Sequence, residues 1–264
     1  MIKKLLILAA ATATVAMPLR AAAQWRAELA PAFCYASVSE NKQNGERVVH
    51  ETGALPGVGA ALAYRADRLE TFGELRTFRG PIDYDGKLQN GMGHQTRTDT
   101  HLSRAQFGLR YQYRDDTRLI AAFEYDDWER NIRGDDVAIG LREHTRSRRL
   151  LLGVEQSWQM AAAGTLVVGA ALVGAQPERL DVHFSGLFDD VSMRTRAATG
   201  YAAELTYRPA AFPKWLLSAK ADYMKVPRSG AVTVRRDGNP AGEITQPEHV
   251  RQSIGFFLRY VFAG

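Results

Sequence analysis

The chain has 264 residues, one cysteine, 45% hydrophobic and 24% charged residues, and a formal charge of +5. A single cysteine excludes an intramolecular disulfide framework. No apolar run beyond the N-terminal region approaches the roughly 20 residues of a membrane-spanning helix, so entry into a membrane would have to be made by strands.

Lys3 and Lys4, the apolar run over 5–17 and the small triplet Ala21-Ala22-Ala23 read as a secretory signal peptide over 1–23, cleaved after Ala23. Its loss removes Lys3, Lys4 and Arg20 and leaves 31 basic against 29 acidic residues, a net +2 that implies no nucleic-acid partner. The remaining residues, 24–264, hold no Pro/Ser-rich linker and read as one domain. Cys34, early in that domain, is expected to be a small packed residue.

Downstream the sequence repeatedly alternates with period two, which puts every second side chain on the same face of a strand. Candidate strands run over 25–37, 55–64 and 69–78; in the third, Glu70, Glu74 and Arg76 share a face with Phe72 and Phe78. Ala105, Phe107, Leu109, Tyr111 and Tyr113 then alternate with Arg104, Gln106, Arg110 and Gln112, and Leu119, Ala121, Phe123 and Tyr125 with Arg118, Glu124 and Asp126. Leu150, Leu152, Val154 and Trp158 form a further stripe interrupted by Gln156, and 166–174 is apolar on both faces. A long alternation over 193–208 sets Tyr201, Leu205 and Tyr207 against Arg194, Arg196, Glu204 and Arg208. Trp215, Leu217 and Tyr223 follow, and finally Ile254, Phe256, Leu258, Tyr260 and Phe262 alternate with a more polar face. This last segment resembles the C-terminal signature of outer-membrane barrels, with Ala263 and Gly264 following the terminal aromatic residue.

The connections alternate in length. Those at 66–68, 115–116, 161–164 and 210–213 are short; those at 38–51, 80–97, 129–145, 175–190 and 225–248 are long and polar. Four short and five long connections join ten strands and put both termini at the short-turn end. Trp25, Tyr64, Tyr111, Tyr113, Trp158, Tyr207, Trp215, Tyr260 and Phe262 gather at that same end, as an interfacial girdle would. The expected fold is therefore an all-β, transmembrane, antiparallel up-and-down barrel of about ten strands. So narrow a lumen, lined by charges of both signs, is expected to be filled by ion pairs.

Chemistry is expected at the long-loop rim. Asp83 and Asp85 in the second long connection and Asp181 and His183 in the fourth each have the two-residue spacing that places both side chains on one face. A carboxylate beside an imidazole can orient it as a general base for water, and paired carboxylates can hold that water or share a proton. No H-x-H or H-E-x-x-H pair marks a metal site. His183 and Ser185 share a parity that a lipid deacylase could use, though they fall within a long connection.

In topology and in these two pairs the chain resembles the omptins, outer-membrane endopeptidases of Gram-negative bacteria. The resemblance implies surface cleavage of peptides next to basic residues. Asp83 and Asp85 would polarise or position the water, and Asp181 and His183 would activate it. It also implies a need for lipopolysaccharide, whose phosphates Arg or Lys at the rim would bind, with no other cofactor. Where the omptin Asp-x-Asp is followed by an aromatic residue, this chain has Gly86. The alternative is a non-enzymatic barrel acting as an adhesin or a structural or ligand-binding envelope protein. In either case the partners are outer-membrane lipid and lipopolysaccharide, and a monomer is expected.

Overall fold

A computed structural model describes residues 24–88 and 91–262. The expected signal peptide and the terminal Ala263 and Gly264 lie outside them. The strands in chain order are β1 (Gln24–Asn41), β2 (Arg47–Ala66), β3 (Leu69–Lys87), β4 (Gly93–Arg114), β5 (Thr117–Ile132), β6 (Leu141–Gln159), β7 (Gly164–Ala175), β8 (Arg179–His183), β9 (Val191–Arg194), β10 (Ala198–Pro209), β11 (Trp215–Val226), β12 (Val232–Arg236), β13 (Asn239–Ile244) and β14 (Glu248–Phe262).

Ten of them close a ring in the order β1-β2-β3-β4-β5-β6-β7-β10-β11-β14, with β14 pairing back onto β1. Every neighbouring pair is antiparallel, and closure leaves no edge with unpaired backbone groups, the condition for a sheet to sit in lipid. The hairpin β8–β9 continues β7 and β10 upward and pairs with β6, while β12–β13 is a separate hairpin. The turn of that second hairpin is Asp237-Gly238, both with positive φ, as a tight two-residue turn matched to strand twist requires.

The outward face is apolar through the lower part of the ring. Leu172, Phe107 and Leu75 are 75%, 64% and 62% exposed, which in water would form an unpartnered hydrophobic surface around the whole molecule. Aromatic residues ring the short-turn end: Trp25 packs on Tyr64 at 4.6 Å between ring centroids, Trp215 on Tyr260 at 5.1 Å, and Tyr260 on Phe262 at 4.9 Å. Gln156, the polar break in the β6 stripe, accepts a hydrogen bond from the Thr117 hydroxyl at 2.8 Å near the same end.

Inward, charges of both signs are buried and paired. Arg149 meets Asp126 at 3.0 Å, Glu124 at 3.2 Å and Asp222 at 3.2 Å, and Arg104 meets Asp126 at 2.7 Å. Nearer the short-turn end Lys220 meets Glu74 at 2.6 Å and Arg110 meets Glu70 at 2.8 Å. Toward the opposite end Arg130 gathers Glu143, Glu51 and Glu40 at 2.6, 2.9 and 3.1 Å. Apolar side chains separate these layers: Cys34, Phe78, Leu102, Trp128 and Phe257 pack together, and Phe72 lies 3.8 Å beneath the Arg110 guanidinium. Side chains thus fill most of the lumen and leave a cavity of about 90 Å³ among Cys34, Arg76, Arg104, Glu124, Lys220 and Asp222.

Strand length differs from expectation. β4 has 22 residues and β2 has 20, about twice the 9–11 that a bilayer crossing needs. The connections expected at 38–51, 80–97 and 129–145 shrink to 42–46, 88–92 and 133–140 because the strands continue above the apolar band. There the outward side chains become polar, so the hydropathy contrast fades while the backbone ladder persists.

Candidate functional site

The residues above the apolar band form a crown built from the strand extensions, the hairpins β8–β9 and β12–β13, and the loops between them. Within it the two sequence pairs take defined places. On β3, Ile82 is buried and Tyr84 half-buried toward the axis, which turns Asp83 and Asp85 outward. Asp83 stands 3.8 Å from the Arg97 guanidinium, and Asp85 is opposite His50 in the β2–β3 register. The Tyr84 ring lies over Gly86, 2.5 Å from where a Cβ would sit, so glycine after Asp85 lets that ring fold against the backbone.

On β8, Leu180 and Val182 are buried inward, so Asp181 and His183 also face out. Asp181 contacts Arg146, bonds Arg179 at 3.1 Å and accepts a hydrogen bond from Ser192. Partial burial works against its charge, but these partners hold its carboxyl below the ordinary range. The His183 Nδ1 sits 2.6 Å from Asp190, not from Asp181. The two-residue spacing does place each pair on one face. The core-facing neighbours decide which face, and both pairs point away from the barrel axis without converging on a shared cleft.

The inner side of the β8–β9 hairpin carries an apolar cluster instead. Leu180, Val182, Val191, Met193 and Val234 pack together from β8, β9 and β12. The two hairpins are tied by the Asp189 amide donating to the Arg235 carbonyl at 2.8 Å and the Gly238 amide donating to the Asp189 carboxylate at 3.0 Å. Ser185, with φ of 53°, donates its hydroxyl to the Gly140 carbonyl at 2.6 Å and so joins the β8–β9 tip to the 133–140 loop. That loop is itself organised by Asp135, which accepts the Val137 and Ala138 amides at 2.8 Å each, hydrogen bonds that lower its pKa.

Between the 133–140 loop and the two hairpins runs an open groove of about 710 Å³ whose walls include Val137, Ile139, Phe184, Leu187, Phe188 and Ile244. Val137 and Ile139 are 68% and 56% exposed, and Phe184 meets Phe188 edge-on at 5.6 Å. Sequence reading missed this groove because its residues are scattered over three connections. The local signal was apolar residues inside otherwise polar loops: Val137-x-Ile139, and Phe184 with Leu187 and Phe188. Outside the groove, Asp127, Glu129 and His144 form the one group among the described residues whose donor atoms could jointly hold a metal ion.

No protein-family model matches the chain, and no curated protein matches it. Solved structures do. The outer membrane protease OmpT from Escherichia coli superposes with a TM-score of 0.58 at 11% identity, over 90% of this chain and 97% of that one. The chain has the fold of an outer-membrane β-barrel. The barrel is also similar to the translocator domain of the autotransporter NalP from Neisseria meningitidis, with a TM-score of 0.48 at 13% identity, over 89% of this chain and 88% of that one. At such identities the likeness concerns the barrel itself and assigns no activity to the crown.

Proposed function

We propose that this protein resides as a monomer in the outer membrane of a Gram-negative bacterium, short turns toward the periplasm and crown outside. Its crown captures an apolar segment of another protein, so it acts as a ligand-binding or adhesive surface barrel. The observation that carries this reading is the groove between the 133–140 loop and the two hairpins, whose exposed Val137 and Ile139 face the Phe184–Phe188 pair. Its walls come from three separate connections and it opens to solvent, a shape that suits an extended peptide segment. Fluorescence anisotropy of labelled apolar decapeptides on the refolded barrel tests it, with serine-substituted peptides of equal length as the reference. The apolar peptides are expected to bind the native crown at least about tenfold more tightly than an Ile139→Ser, Phe188→Ser double variant, since two lost apolar anchors are worth a few kcal/mol. Equal binding by both proteins, or no preference for apolar peptides, would refute the reading.

Lipopolysaccharide is the proposed lipid partner. Arg148, the first outward residue above Leu150 on β6, and Arg146 and Arg179, level with each other beyond it, face outward above the apolar band, where they would meet its phosphates. An omptin-like endopeptidase is the second reading, favoured by the presence of Asp83, Asp85, Asp181 and His183 on the crown in omptin order and by the OmpT-like barrel. In it Asp181 and His183 would activate water and Asp83 and Asp85 would position it. Refolded protein with lipopolysaccharide is expected to leave a basic peptide uncleaved. Cleavage that is lost in His183→Ala would transfer the assignment to the protease.

A further inference from the structure

We infer that the outer wall carries a Zn²⁺ site formed by Asp127, Glu129 and His144 at the base of the crown. Asp127 and Glu129 are two residues apart on β5 and therefore project from the same outward face. His144 on β6 is directly opposite Glu129 and diagonal to Asp127 in the β5–β6 register. One donor atom from each residue lies within 4.8 Å of the other two, and the His144 Nε2 is 2.9 Å from the Asp127 carboxylate. Donors around a tetrahedral zinc ion with bonds of about 2.0 Å stand roughly 3.3 Å apart, so small side-chain rotations close the set.

The surroundings leave the ligands available. Arg146, the cross-strand neighbour of Asp127, is drawn to Asp181, and Arg142 reaches Glu129 only at 3.8 Å. The Tyr125 hydroxyl, 3.5 Å from Asp127, is a neutral neighbour. The side chains of Asp127, His144 and Glu129 are 28%, 30% and 41% exposed, enough for an ion to enter and for a water to complete the coordination. One imidazole and two carboxylates match zinc's borderline preference. Ca²⁺, which takes six to eight oxygen ligands, is poorly served by two carboxylates and a nitrogen. The strands that carry the ligands are neighbours, so the ion would staple β5 to β6 just above the lipid.

Isothermal titration of the refolded barrel in detergent with ZnCl₂ tests this. One Zn²⁺ is expected per barrel, undisturbed by millimolar Ca²⁺, and titration of His144→Ala or of Asp127→Asn, Glu129→Gln is expected to show binding weakened at least tenfold. All three side chains face outward, so the variants keep the core, and the shift between heated and unheated electrophoretic mobility verifies that they fold. Co²⁺ substituted for Zn²⁺ should give visible absorption bands that these variants lose. Undiminished Zn²⁺ binding in His144→Ala, which keeps His101 and His183, would overturn the assignment, as would a native barrel that takes up no Zn²⁺.

Discussion

Arg149→Met is expected to destabilise the barrel by about 3–5 kcal/mol, the usual cost of removing one partner from a buried charge cluster. Arg149 is fully buried and stands among Asp126, Glu124 and Asp222, which it meets at 3.0–3.2 Å. Those three carboxylates share Arg76, Arg104 and Arg251 as their other cations. Arg76 and Arg251 are also engaged by Glu74 and Glu178, so removing Arg149 leaves buried carboxylate charge under-compensated in a lumen largely filled by side chains. Unfolding in urea from detergent micelles or lipid vesicles measures the loss. The double variant Arg149→Met, Asp126→Asn should recover part of it, because the second change removes the charge that the first stranded. A single variant within about 0.5 kcal/mol of native would mean that the lumen is wet and the network dispensable.

The second large effect is expected on the other side of the wall. Leu172 of β7 is opposite Leu152 and Tyr201, within the apolar band and facing out. Leu172→Arg should cost about 2–4 kcal/mol in vesicles, the range for a guanidinium forced against the bilayer midplane of a barrel. Asn131→Arg, outward and exposed on the crown end of β5, should change stability by less than about 0.5 kcal/mol. The contrast between positions, more than either value, separates a lipid-facing wall from a surface in water.

Most of the barrel was legible because lipid and lumen impose opposite demands on alternate residues, and the demand is written as hydropathy in Leu119, Ala121 and Phe123 against Arg118 and Glu124. The alternation loses its contrast above the lipid. Ser39, His50, Asp99 and Glu129 sit outward on continuous strands yet read as loop, because both lipid-free faces tolerate polar residues there. The 166–174 segment was ambiguous for a different reason: Val173 packs inward among Leu151 and Met224 while Leu172 meets lipid, so both faces are apolar.

The site was legible only in part. Spacing fixed that Asp83 and Asp85, and Asp181 and His183, share a face; Ile82 and Tyr84, Leu180 and Val182 fixed which one, and these apolar neighbours were present in the sequence. Contacts across strands were beyond reach. The three glutamates around Arg130 come from β1, β2 and β6, and His144 meets Asp127 and Glu129 only through the β5–β6 register.

Site-directed nitroxide scanning over β5 tests the orientation of the wall most directly, with single labels at positions 119–123 in a Cys34→Ala background in lipid vesicles. Leu119, Ala121 and Phe123 point outward, and Ile120 and Ala122 inward. Oxygen collision rates should therefore peak at 119, 121 and 123 and dip at 120 and 122, with a water-soluble nickel chelate excluded from the peaks. A flat profile, or chelate access at 119, 121 and 123, would contradict a ring of strands that is apolar toward lipid and filled with paired charge inside.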